Sequence, residues 1–225
     1  MSPRTFDAVT WPGRYTDTGV FVCFEGGDGA GKSTQSALLE SWLLEAGHEV
    51  VLTREPGGTD VGVELRRIVL SPETGDLSPR TEMLIYAADK AEHVDHLVLP
   101  ALARGAVVVT DRYVDSTLAY QGAGRTLATD EVEHVARWAT GDLRPHLTVV
   151  LDLEPDAGLA RFETRDRIEG ESLEFHTRVA AAFRAMAAAD PEHYLVVDAR
   201  APREEIAAAV RARVAPLLPQ AVAAE

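Results

Sequence analysis

Short apolar runs alternate with stretches of helical periodicity along most of this chain. Residues 19–25 (GVFVCFE) and 48–54 (HEVVLTR) read as buried strands, as do 106–110 (AVVVT), 147–153 and 194–197. Between them, apolar residues recurring every three to four positions predict helices at about 32–46, 60–70, 79–104, 114–120, 129–140, 155–163, 170–189 and 202–217. Gly47 stops the first helix. Ser78 caps the long one, Pro79 is its first residue, and a bend is expected at Pro100. In this helix Leu84, Ala87, Ala88, Ala91, Val94 and Val98 form the expected apolar stripe, with Tyr86 and Lys90 on the opposite face. Residues 1–18 lack periodicity and read as an N-terminal extension, docked by Phe6 or Trp11, and 218–225 read as a C-terminal tail.

Buried strands alternating with helices imply an α/β protein: five parallel strands with helices on both faces, in one domain spanning 19–217. Right-handed crossovers make it a single layered unit. Ligands of such sheets bind at the carboxyl ends of the strands, so chemistry is expected just after each one.

After the first strand comes Gly26-Gly27-Asp28-Gly29-Ala30-Gly31-Lys32-Ser33-Thr34, which matches G-x-x-x-x-G-K-[ST] between a strand and a helix. The glycines let successive N–H groups face one anion, and the helix N-terminus adds partial positive charge. Lys32 would bridge the terminal phosphates of a nucleoside triphosphate, and the Ser33 hydroxyl would ligate Mg²⁺. The loop defines the donor and leaves the acceptor open. The architecture is therefore expected to be P-loop NTPase-like.

Charge narrows the acceptor. The 225 residues carry a net charge of -14, which argues against sequence-independent nucleic-acid binding. Any anionic substrate must meet locally clustered arginines, and 20 of the 22 basic residues are arginine, leaving Lys32 and Lys90 as the lysines. Arg54 ends the second strand beside Pro56-Gly57-Gly58, and Asp111-Arg112-Tyr113 follows the third. Two strand-end arginines can clamp a phosphate in fork geometry, and Asp111 can hold Mg²⁺ through water. This favours a kinase with an anionic acceptor. A different P-loop nucleotide or nucleoside kinase, or a non-enzymatic nucleotide switch, remains open at this point. Cys23 stands alone and reads as a core residue, and no apolar run reaches the roughly 18 residues that span a bilayer. Lacking a signal-peptide pattern, the chain is expected to be cytoplasmic.

The set EGGDGAGKST, TREPGGT, YAADKAEH, DRYVDSTLAYQGAGR and DRIE, in this order, resembles the bacterial thymidylate kinase family over about residues 19–217. The resemblance implies transfer of the γ-phosphoryl of ATP to dTMP, giving dTDP and ADP for dTTP synthesis, by a homodimer. It implies that Arg54 and Arg112 hold the acceptor phosphate and that Asp28 approaches the deoxyribose 3′-hydroxyl. Tyr86 would stack on thymine, Lys90 would contact its carbonyl, Thr117 and Gln121 would lie near the base, and Arg66 would line the cleft. Tyr120 would crowd the 2′ position. Members mostly carry Phe and Arg where this chain has Tyr86 and Lys90. Some carry an arginine inside the P-loop where Gly29 stands here; this chain resembles those in which a lid supplies that cation. The lid falls at about 161–169, and Arg165, then Arg167, then Arg161 are its candidate arginines. His93, His96 and His134 fall in helical patterns with no metal-ligand spacing.

Overall fold

The computed structural model describes residues 13–125, 127–162 and 164–219; Phe6 and Trp11 lie outside the described residues. Five strands, β1 (Val20–Gly26), β2 (Val50–Arg54), β3 (Val107–Asp111), β4 (Leu147–Asp152) and β5 (Tyr194–Asp198), form one all-parallel sheet ordered β2-β3-β1-β4-β5. The helices are α1 (Lys32–Glu45), α2 (Asp60–Leu70), α3 (Pro79–His93), α4 (Leu99–Ala103), α5 (Val114–Thr117), α6 (Thr129–Thr140), α7 (Pro155–Leu159), α8 (Leu173–Ala189) and α9 (Arg203–Val214).

Strand alternation divides the core. Phe21 and Cys23 of β1 pack with Val108 of β3 and with residues of α3, α5, α6 and α8. Val20, Val22 and Phe24 face the other layer, against Leu39 and Leu43 of α1 and Ile206 and Val210 of α9. Every residue of β1 is buried, as expected of a central strand covered on both faces. The sheet edges are looser: Leu52 of β2 and Val196 of β5 are exposed.

The long helix departs from its expected form. α3 ends at His93, a π-helical turn covers Val94–Val98, and α4 resumes before Pro100. Proline has no N–H to donate to the carbonyl four residues back, so the ladder widens just before it. The expected apolar stripe is also corrected. Ala87, Val94 and Val98 are buried, but Leu84 is 60% exposed and Ala88 is exposed. Lys90, expected opposite the core, is 2% exposed, and Glu82, Asp89 and His93 are buried with it. This helix buries a polar face, so hydrophobic periodicity misjudged its orientation.

Three further boundaries shift for local reasons. Val114–Thr117 continues into a π-helical turn over Leu118–Gly124. α8 starts late because the Ser172 hydroxyl accepts from Phe175 N–H and caps it there. α7 closes at Leu159, well short of the expected 163. At the opposite end of the sheet from the P-loop, Arg14 bridges to Leu143, and Tyr15 stacks on His193 with ring centroids 4.7 Å apart. Among the described residues, no helix is long and apolar enough to cross a membrane.

Candidate active site

Parallel register brings the carboxyl ends of β1, β2 and β3 together. Asp111 pairs with Arg54 on one side and with Phe24 on the other, two residues before Gly26. The P-loop leaves β1 there and enters α1 through Gly31, which adopts left-handed φ 94° as N-cap. Gly29 has φ 74°, and a Cβ on it would lie 2.5 Å from the Gly158 carbonyl oxygen; a Cβ on Gly158 would lie 2.3 Å from the Asp28 carbonyl oxygen. The loop is therefore seated backbone to backbone on α7.

Lys32 is buried and donates to the carbonyls of Gly26 at 3.1 Å and Gly27 at 2.8 Å. Burial, then the nearby Arg112 cation, lowers its pKa. The Ser33 hydroxyl donates to Asp111 Oδ2 at 2.8 Å. A hydroxyl and a carboxylate side by side next to a phosphate loop are the hard oxygen donors that Mg²⁺ takes, so these residues fit the ion.

A cavity of about 380 Å³, within the usual ~300–1,000 Å³ of small-molecule sites, opens beside this loop. It brings together Asp28, Gly29, Gly31, Lys32, Ser33, Thr34 and Asp111 with Arg54, Arg66, Tyr86, Lys90, Arg112, Thr117, Tyr120 and Gln121. Gly26, Gly27 and Ala30 complete the loop without lining the cavity, and Arg165 and Arg167 do not line it either. Four residues from the 161–169 segment do: Phe162, Asp166, Ile168 and Glu169.

Arg112 is the hub. Its guanidinium pairs with Asp28 Oδ1 and donates to Gly26 O at 3.1 Å and Ser116 Oγ at 3.0 Å. Burial opposes its charge, but Tyr120, Asp28 and Glu25 more than offset that, so its pKa is raised. The same pairing acts on Asp28: burial opposes ionisation, while Arg112 and Lys32 hold the carboxyl below its ordinary value. The Tyr120 hydroxyl donates to Asp28 Oδ2 at 2.9 Å, which fixes both groups. The Arg54 side chain is exposed and has no hydrogen-bond or ion-pair partner among the described residues. Arg66 donates to Pro56 O at 2.9 Å. Thr117 is buried and its hydroxyl has no partner among the described residues. Burial raises the Tyr86 pKa, so its phenol stays neutral.

The 161–169 arginines separate. Arg161 donates to Gly29 O at 2.6 Å, on the P-loop itself. Arg165 is exposed and makes one long contact of 3.4 Å to Leu159 O. Arg167 is held inward, donating to Val69 O at 2.8 Å and to Glu82 Oε2.

The thymidylate kinase family model matches residues 24–210. The chain belongs to the thymidylate kinase family. It is 57% identical over 205 residues to the thymidylate kinase of Clavibacter michiganensis subsp. michiganensis, an alignment covering 89% of this chain and 97% of that protein. It is 54% identical over 200 residues to the thymidylate kinase of Cutibacterium acnes, covering 89% and 98%. Its fold matches the crystal structure of thymidylate kinase from Ehrlichia chaffeensis with a TM-score of 0.73 and 28% identity, covering 88% of this chain and 99% of that one.

Against this family frame, sequence reasoning missed three buried carboxylates. Glu55 accepts from Lys90 Nζ at 2.8 Å and pairs with His93 Nδ1 at 2.7 Å, while His93 Nε2 meets Thr53 Oγ1 at 2.8 Å. His93, read only as helical, is thus a buried link between α3 and the loop after β2. Glu82 accepts from Gln121 and from both Arg125 and Arg167. Burial alone would raise the Glu82 pKa, but its hydrogen bonds from Arg125, Gln121 and Arg167 lower it. Glu25 accepts from Tyr113 N–H, Ser116 N–H and Ser116 Oγ. Burial, then Asp115, pushes its carboxyl up to about 7. Glu25 and Glu55 lie inside the motifs EGGDGAGKST and TREPGGT, and their position beside assigned residues was the available signal.

Proposed function

We propose that this protein transfers the γ-phosphoryl of ATP to dTMP, giving dTDP and ADP. The observation that carries the reading is the single cavity in which the P-loop faces Arg54, Arg112 and the Asp28–Tyr120 pair, in a chain of the thymidylate kinase family. The P-loop amides of residues 26–34 and Lys32 bind the triphosphate, and Ser33 and, through water, Asp111 would hold Mg²⁺. When bound, the ion neutralises phosphate charge. Arg54 and Arg112 take the acceptor phosphate, and Asp28 meets the 3′-hydroxyl. Tyr120, fixed on Asp28, crowds the 2′ position. Arg66, Tyr86, Thr117 and Gln121 surround the base; Lys90 reaches it with the N–H groups that Glu55 does not use. An acceptor phosphate oxygen attacks the γ-phosphorus, the bond to the β-phosphate bridging oxygen breaks, and ADP leaves. The nucleophile is already anionic, so no general base is required.

Segment 161–169 acts as the lid, and Arg165, which has no carboxylate partner among the described residues, supplies the last cation. Arg167 stands second because Glu82 already holds it, and Arg161 lies nearest the loop. A second copy of the chain covers the exposed Leu84 and Trp138 of α3 and α6, making a cytoplasmic homodimer that sedimentation would reveal. The deciding experiment follows ADP release with ATP, Mg²⁺ and dTMP, dUMP, the thymine ribonucleotide, thymidine or no acceptor. Selective turnover of dTMP is expected. Turnover of several acceptors leaves a kinase without this specificity, and no turnover overturns the reading.

A further inference from the structure

Arg112 is a non-glycine residue with φ 71° in the middle of the acceptor site. That left-handed conformation costs about 1–3 kcal/mol and persists only where its surroundings impose it. The backbone around it is held from β1. Arg112 N–H donates to Phe24 O at 2.9 Å, and the next N–H, of Tyr113, donates to Glu25 Oε1 at 2.8 Å. The same carboxylate takes Ser116 N–H at 3.0 Å and Ser116 Oγ at 2.6 Å. Tyr113 begins α5 without a side-chain cap, so a glutamate from a neighbouring strand does that work. Ser116 Oγ in turn accepts from Arg112 Nη1 at 3.0 Å. Glu25 is fully buried and touches no cavity-facing surface of its own.

We infer that Glu25 is the positioning residue of the acceptor clamp: it fixes the turn and the hydroxyl that together aim the Arg112 guanidinium. Gly26, the next residue, offers its carbonyl to both Arg112 and Lys32. Two adjacent residues of β1 therefore set the acceptor cation and the donor cation in one frame. The inference rests on the acceptor reading above.

The test measures KM for dTMP and for ATP, with kcat, above about pH 8, where Glu25 is ionised, in wild type, Glu25→Gln, Ser116→Ala and the double variant. The amide keeps an oxygen for the N–H donors but removes the charge. Loss of one charge-assisted contact predicts a rise of about tenfold in the KM for dTMP, with the KM for ATP within about twofold. Ser116→Ala should give a comparable rise, and the double variant a rise smaller than the product of the two, because both act on Arg112 through the Ser116 hydroxyl. Equal rises in both KM values, an additive double variant, or an unchanged KM for dTMP would overturn it. If Glu25→Gln fails to fold, Glu25→Asp, which keeps the charge but draws it back from the turn and the hydroxyl, decides by the same split. Failure of the function reading is separate: wild type would then not turn over dTMP, and the comparison would use whichever acceptor of the panel it does phosphorylate.

Discussion

The proposed donor and acceptor halves of the cavity are built by opposite means. The donor half is one contiguous loop, residues 26–34, whose shape follows from glycine conformations and a helix start. The acceptor half collects Arg54, Arg66, Tyr86, Arg112, Thr117 and Gln121 from five parts of the chain. Three groups of the cavity are held from beneath by buried acids: Lys90 by Glu55, Gln121 by Glu82 and, through Ser116, Arg112 by Glu25. The lesson is that a phosphate-binding backbone is specified locally. A cleft for a particular acceptor depends on hydrogen bonds between residues 35 to 91 positions apart.

Four substitutions sharpen or break this contrast. Lys32→Ala should lower turnover by at least about 10³-fold while calorimetric binding of dTMP stays near wild type. Near-normal kcat would remove the P-loop assignment, and lost dTMP binding would mean that the halves are not separable. Glu55→Ala strips the partner from two buried groups, Lys90 and His93, and should lower the unfolding free energy by about 3–5 kcal/mol in denaturant titration. A loss below about 1 kcal/mol would show that the loop after β2 does not depend on that pair. Arg165→Ala should reduce kcat roughly 100-fold with little change in the KM for dTMP. A change confined to KM would make Arg165 a ground-state contact.

The smallest effect is pH dependence. Burial, then the neighbouring Glu55 charge, pushes the Asp89 carboxyl from 3.8 up to about 6. A raised carboxylate contributes stability that is fully present below its unfolded pKa and is lost as pH rises through the folded one. Between pH 5 and 7 wild type should lose about 1 kcal/mol more unfolding free energy than Asp89→Asn, which keeps an oxygen for Gly57 N–H. Equal slopes would place the proton elsewhere.

The strands were legible to within a residue or two because β1, β3 and β4 are buried on both faces and read as unbroken apolar runs. Arg54, Asp111 and Arg112 were legible for a related reason: a parallel sheet puts strand ends in one place. Lys90 was misjudged because apolar periodicity finds only apolar faces, and α3 turns Asp89, Lys90 and His93 toward the loop after β2. Glu82 gave no local sign of its role, since its partners Gln121, Arg125 and Arg167 come from distant segments. The π-helical turns escaped notice because an extra residue per turn leaves the surrounding composition unchanged.

The facing pair Gly29 and Gly158 sets a boundary on how this enzyme type can change. Any side chain at either position drives its Cβ into the other segment's backbone, at 2.5 Å or 2.3 Å. An arginine at Gly29, the arrangement of the other branch of the family, is sterically closed to this chain unless the backbone around Gly158 retreats first. A lineage placing an arginine in the loop would need coordinated changes in two segments 129 residues apart in sequence. Single-site library screens at Gly29 should return glycine alone.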